Sequence, residues 1–595
     1  MVTDGTFVLL ILTLCLTTAN AGKPLIPGDY AAPIDTPTVT VDTKYGSVEG
    51  FKVEKPEYSA NIFVGIPFAA KPIGELRFEK PEAVEPWKGT LNAKKWPIAC
   101  TPQVNELIQF FGNVSEDCLY LNIFAPSTPP PENGLYPVAV WIHGGGFSFG
   151  DTQSYGYEGF VKNYVNRGII VVTIQYRLGP FGWFSLGDHI APGNLGLWDQ
   201  RQALLFLHDV LKDFGGDKNK ITVLGHSAGA TSTSLLAVSP HSRDLFAQAY
   251  QLSGSTFLEW GNSPSVANIS KYLTELLDCP KTTCPITLKN CIKNKPVEEI
   301  LQASDKIGVS RNAINTMFYQ PYYQTDWITN DYHKELAKTK PKPTLIGLTS
   351  IESYLTTVYI EDSLASMFNF NHGIPKEKHA TFTKQDLING VNKKFARLSD
   401  FGQYAEEAAK DIIEFYAEGA SEEDLKNPTY CFSQYSQLFS DVHFVVNGAL
   451  EALEKAKLGW PTYIYLFDWV NPQIAKETGF LDGAPHGMDL AYIMDAFIFG
   501  DYEFNDIDHK IKKIMVDGIA NFIKTGNPSS EEETWPALPK TEAINFSYEF
   551  LGIREDRATN YFIPKLQFWK KFNDKYHFDI IQGLYKQVKQ NKDEL

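Results

Sequence analysis

Residues 220–230 read KITVLGHSAGA. The apolar run Ile221–Leu224 breaks off into small residues, with Ser227 at the centre and a glycine two positions to either side. Ile221–Leu224 reads as a buried strand, and Thr231–Ala237 can continue as a helix. A strand turning sharply into a helix at such a G-x-S-x-G step exposes one side chain at its tip. Small neighbours keep that turn free of collision, and the helix N-terminus faces any negative charge formed there. A packed glycine-rich turn would have the same five letters, so the surrounding chain decides.

Outward from Ser227 the chain alternates strand and helix. LYPVAVWIHGGG and GIIVVTIQYRLG contain Val/Ile-rich runs with little polar alternation, the pattern of strands buried on both faces. Between the second run and Ser227, Leu204, Leu205, Leu207, Val210 and Leu211 keep helical spacing, and Gly215-Gly216 is expected to stop that helix. TKYGSVEGFKV and NIFVGIPFA precede as short strands; PTLIGLTS (343–350) and TYIYLFDWV (462–470) follow as later ones. Helical patterns such as 400–417 fill the interval, and LQFWKKFNDKYHFDIIQGLYKQV reads as a last amphipathic helix. This order predicts an α/β protein with a largely parallel sheet and helical insertions, without a second independent domain. No low-complexity linker or internal repeat divides the chain.

The 595 residues are 43% hydrophobic and 21% charged, an ordinary globular balance. A formal charge of −16 counts against a general nucleic-acid surface. Phe7–Leu16 is almost unbroken apolar sequence ending near Ala19-Asn20-Ala21, which reads as a signal peptide over residues 1–21. The last four residues, Lys592-Asp593-Glu594-Leu595, spell the retrieval signal of the endoplasmic reticulum, read by a receptor. The two ends predict a luminal protein whose single domain occupies 22–591, with no membrane span. Cys15 leaves with the signal peptide and six cysteines remain, an even number that fits an oxidising compartment. Cys100 with Cys118 would close one loop, and two of the cluster Cys279, Cys284 and Cys291 another; Cys431 stands apart. Glycosylation sequons lie at Asn113, Asn268 and Asn545.

His143-Gly144-Gly145-Gly146 follows the strand VAVWI. Three glycines cost backbone entropy unless a close approach needs them, and such a turn can aim N–H groups at an anionic tetrahedral intermediate. A serine hydroxyl further needs a base and an acid to orient it, in the chain order serine, acid, histidine. His486, in DGAPHGMDLAYI, follows the 463–469 strand; eleven other histidines compete on composition. Glu352 lies just beyond a strand end, with Asp468 and Asp489 as competing acids. His226, next to Ser227, is expected to point elsewhere, and His143 to support the glycine loop.

Together these segments resemble the type-B carboxylesterase/cholinesterase family over roughly residues 38–565. GHSAGA is similar to its serine motif and SEDCLYLNIFAP to its second signature; GIPFA, WIHGGGF, YRLGPFGWF, GNLGLWDQ and HGMDLAY follow the family order. Within it the wording looks most like the nematode gut esterases. The resemblance implies one α/β-hydrolase domain that splits carboxylic esters through an acyl-enzyme. It carries the nucleophile onto Ser227, the acid onto Glu352 and the base onto His486. It carries the oxyanion donors onto the N–H groups of Gly145, Gly146 and Ala228, and implies disulfides Cys100–Cys118 and Cys279–Cys291, which leaves Cys284 and Cys431 either free or paired with each other. It implies no metal and no organic cofactor, and a small apolar ester as substrate. Two positions depart: His226 stands where the family commonly has glutamate, and Ser353 where glycine often follows the acid. Between Cys100 and Cys118 there is no tryptophan, which makes choline esters a poor first choice. Two other readings are an inert interaction protein and a narrower lipase or hormone esterase.

Overall fold

The computed structural model describes residues 36–581, 584 and 585, except 132–133, 263–264, 309–316, 324, 329–330, 360–371, 479–481, 542 and 545. The expected signal segment 1–21, the tail 592–595 and the sequon at Asn545 therefore lie outside the described residues. Twelve strands form one mixed sheet. They are β1 (Thr38–Thr43), β2 (Gly46–Lys55), β3 (Tyr58–Pro67), β4 (Thr90–Asn92), β5 (Tyr120–Pro126) and β6 (Tyr136–Ile142). Then come β7 (Ile170–Ile174), β8 (Gly216–His226), β9 (Gln248–Leu252), β10 (Thr344–Thr349), β11 (Thr462–Phe467) and β12 (Glu549–Leu551). Their spatial order is β1-β2-β3-β5-β7-β6-β8-β9-β10-β11-β12, with β4 beside β2. From β7 onward every neighbouring pair is parallel. The N-terminal flank β1-β2-β3-β5-β7 is antiparallel. This is an α/β-hydrolase-type fold with helices flanking a mixed sheet.

The central strands are buried on both faces, which is why their sequences do not alternate. In β6, Val138, Val140 and Ile142 enter one apolar cluster while Ala139 and Trp141 enter the other. In β8, Ile221 and Val223 face the first and Leu224 the second. Each such fully buried Val, Ile or Leu contributes roughly 1.5–3 kcal/mol of transfer free energy. Parallel strands need crossovers, and α1 (Leu195–Val210) and α2 (Ala228–Val238) supply those on either side of β8. The interval between β10 and β11 carries α3 (Ala405–Tyr416), α4 (Pro428–Ser440) and α5 (Val446–Lys457). A π-helical turn, Asp441–Val445, joins α4 to α5.

Two sequence expectations are corrected. The helix α1 ends at Val210, before the glycines, and Gly216 already belongs to β8, paired with Tyr136 across a register shift. The last amphipathic helix does not run through 588. It is α6 (Ile563–Tyr576), closed by His577 in the left-handed region at φ 52°, and Phe578–Asp579 then pairs antiparallel with Leu584–Tyr585. No helix among the described residues is long and apolar enough to cross a membrane.

Candidate active site

The strand β8 ends at His226 and α2 begins at Ala228, leaving Ser227 alone at the turn with φ 57° and ψ −121°. A non-glycine residue held there costs of order 1–3 kcal/mol and persists only where its surroundings fix it. They do so here. Ser227 N–H donates to Leu252 O at 2.8 Å, and Ser227 O accepts from Ala230 N–H at 2.9 Å. The flanking glycines are required by close approach: a Cβ on Gly225 would lie 2.1 Å from Gly229 O, and one on Gly229 2.2 Å from Ile142 O.

The glycine loop after β6 lies against this elbow. A Cβ on Gly144 would meet Ser227 Cβ at 2.9 Å. Gly145 and Gly146 have φ 110° and 58°, and a Cβ on Gly145 would sit 2.1 Å from Phe149 O. The N–H groups of Gly145, Gly146 and Ala228 donate to no acceptor among the described residues. His143 supports the loop: Nδ1 is 2.8 Å from Gly144 O, and the ring stacks on Tyr176 at 4.5 Å.

Glu352 follows β10 and is fully buried. Its Oε1 accepts from Ser253 Oγ–H and from Thr349 N–H, each at 2.7 Å, and its Oε2 accepts from His486 Nδ1–H at 2.7 Å. The two segments are zipped together by their backbones. Ile351 N–H donates to Ala484 O at 2.9 Å, His486 N–H donates to Glu352 O at 3.2 Å, and Ala484 N–H donates to Ser350 Oγ at 2.9 Å. The competing acids are engaged elsewhere. Asp468 Oδ1 accepts from Arg557 Nη1–H at 2.5 Å, and Asp489 Oδ2 accepts from the Tyr465 hydroxyl at 2.9 Å. Burial, with Glu352 nearby, pushes the Asp489 carboxyl up to about 6.

The sequence expected His226 to point away, yet its ring lies 4.6 Å from that of His486, at 31°. The apolar run before it carries no signal for this contact, which β8 and the loop carrying His486 create together. Phe444, on the π-helical turn, approaches the same imidazole at 4.7 Å. An extra residue in a helical turn re-aims side chains, and no apolar period of the sequence reveals it. Phe444 continues through Trp260 at 5.5 Å and Phe147 at 6.4 Å, so rings adjoin the glycine loop and the His486 imidazole. Ser253, the hydroxyl partner of Glu352, carries no sequence signal either.

The structure pairs Cys100 with Cys118 and Cys279 with Cys291. Cys284 is a free exposed thiol and Cys431 a free buried one. Asn113 and Asn268 are exposed. No group of side chains able to hold a metal ion occurs among the described residues.

Residues 37–569 match the model of the carboxylesterase family. Gut esterase 1 of Caenorhabditis briggsae is 34% identical over 93% of this chain and 97% of its own length. Gut esterase 1 of Caenorhabditis elegans is 33% identical over 96% and 98%. A mouse cholinesterase is 27% identical over 96% and 91%. The chain therefore belongs to the carboxylesterase family and is homologous to the nematode gut esterases, which makes it a serine-dependent hydrolase of carboxylic esters.

Proposed function

We propose that Ser227, His486 and Glu352 are the nucleophile, base and orienting acid of this hydrolysis. The observation that carries the reading is the 2.7 Å bond from His486 Nδ1–H to the buried Glu352 carboxylate, beside the strained Ser227 elbow. With Nδ1 donating, Nε2 is the acceptor for the serine proton. Ser227 Oγ attacks the ester carbonyl as His486 takes its proton. The carbonyl oxygen, now negative, is held by the N–H groups of Gly145, Gly146 and Ala228. The bond to the alkoxy oxygen breaks, and the alcohol leaves with the proton from His486. Water then attacks the acyl-enzyme with the same base, and the carboxylate departs. The rings of Phe147, Trp260 and Phe444 favour an apolar ester.

Ser227→Ala tests this reading: turnover of short aryl esters falls to background while the melting temperature holds within a few degrees. Undiminished acyl-enzyme formation in that variant would overturn it.

We further propose that residues 22–591 form one α/β-hydrolase domain after removal of 1–21. The apolar N-terminal run and the KDEL ending support retention in the endoplasmic reticulum through a retrieval receptor. The sequons at Asn113, Asn268 and Asn545 support a glycoprotein. Deleting 592–595 moves the protein into the medium of expressing cells; unchanged retention would refute the address. Loss of mass on deglycosylation tests the sugars.

A further inference from the structure

His226 is 6% exposed and lies at the heart of the site, yet the hydrolysis derived above does not use it. It is the chain neighbour of Ser227 and, in space, the neighbour of His486. Its ring and that of Phe444 both bear on the His486 imidazole, at 4.6 and 4.7 Å. On its other edges it is confined by glycines. A Cβ on Gly144 would come within 3.1 Å of His226 Nδ1, and one on Gly487 within 3.4 Å of its Cε1. Gly144 and Gly487 thus leave room beside the His226 ring. We propose that His226 is a positioning residue of ester hydrolysis: an uncharged ring that braces the His486 imidazole on Glu352 while supplying no charge of its own.

Two geometric observations argue for an uncharged ring, and burial acts in the same direction. Its Nε2 is buried and has no hydrogen-bond partner among the described residues, so a proton placed there would leave a cationic N–H without an acceptor. The His486 ring, which becomes a cation in each half-reaction, is too close to tolerate a second cation. Burial, reinforced by His486, holds the His226 imidazole well below its ordinary range. Other ionisable groups lie on the elements around this corner, and Asp489 among them interacts electrostatically with His486. From the base-bearing loop come His486 and, two residues past Gly487, the carboxyl of Asp489. Glu352 stands behind His486 and is bonded to it. From the β6 side come His143, itself lowered to about 4 by burial, and Tyr155, whose hydroxyl is pushed up by burial with Asp151 behind it. From β9 comes Leu252, paired in register with His226, and the next residue, Ser253, donates its hydroxyl to Glu352.

The consequence is specific to this chain. Glutamate, common here in the family the sequence resembles, would add a negative charge beside the imidazolium. His226 gives the base mechanical support without that charge.

The proposal rests on the reading of His486 as base, and the test separates the two. Wild type, His226→Gln and His226→Glu are compared as folded full-length proteins by the pH profile of kcat/KM on a short aryl ester, with Ser227→Ala as control. His226→Gln is expected to lower kcat roughly tenfold through loss of the brace, with KM changed less than about twofold and the acid limb unmoved. His226→Glu is expected to move the acid limb to higher pH by about one unit or more, as a charge about 5 Å from the imidazolium requires. An upward shift in His226→Gln would mean the native ring carries a charge and would overturn the proposal. So would wild-type kcat together with an unmoved limb in both variants. Turnover surviving in Ser227→Ala would instead defeat the underlying mechanism, whatever the His226 variants show. If His226→Glu does not fold, His226→Gln alone decides.

Discussion

Glu352→Gln keeps the shape of the acid and removes its charge. Glu352 is wholly buried and accepts from Ser253 Oγ–H, Thr349 N–H and His486 Nδ1–H, all at 2.7 Å. The glutamine carbonyl can take over the two bonds at Oε1. Its NH2 then faces His486 Nδ1, which has to become the acceptor. The imidazole proton moves to Nε2, the atom that receives the Ser227 proton in the proposed mechanism. The charge is lost as well. A carboxylate and an imidazolium with centres about 4 Å apart interact by about 4 kcal/mol at an effective dielectric of 20, or about a thousandfold in rate. The wrong tautomer adds to this, and kcat should fall by about 10³ to 10⁴. The assay is steady-state hydrolysis of a p-nitrophenyl ester, with thermal melting to establish folding. A folded Glu352→Gln variant within tenfold of wild-type kcat/KM would refute the reasoning, and Asp468 or Asp489 would have to be reconsidered as the acid.

Gly145→Ala should cost at least about a hundredfold in kcat, because its Cβ would fall 2.1 Å from Phe149 O at φ 110° and displace an oxyanion donor; kinetics on the soluble variant checks this. Asp489 behaves inversely to a paired carboxylate. Its folded value of about 6 lies above its ordinary 3.8, so the native state favours the protonated form, and stability is lost as pH rises from about 4 through about 6. Asp489→Asn should therefore gain relative to wild type by about 2–3 kcal/mol at pH 7.5 and show little gain at pH 3.5, read by denaturant unfolding at both. Replacing Cys100 and Cys118 together by serine opens a loop with sequence separation 18 and should cost about 3 kcal/mol of stability, seen as a lower melting temperature without a change of mechanism.

Much of this was legible because the fold and the chemistry both depend on small residues at fixed places. Two-sided burial removes alternation from β6, β7 and β8, so their Val/Ile runs declare a parallel sheet. Gly225 and Gly229 declare the elbow because any side chain there strikes backbone. Local sequence offered Glu352, Asp468 and Asp489 alike as the acid; in the structure Glu352 is the one of the three that bonds to His486, which supports the proposed role. The polar start of β8, Gly216-Asp217-Lys218-Asn219-Lys220, concealed half that strand. His577 ended α6 in a left-handed conformation without a glycine to announce it. Phe444 reaches His486 through a π-helical turn that no period of 3.6 residues can predict, and His226 meets His486 through a contact 260 residues apart in sequence.

The most direct measurement is to react the folded protein with a fluorophosphonate and locate the adduct by peptide mass spectrometry, alongside residual esterase activity. The account predicts a single adduct on Ser227, appearing in step with loss of turnover and absent from Ser227→Ala. An inactivating adduct on another residue, or full turnover with Ser227 modified, would contradict it.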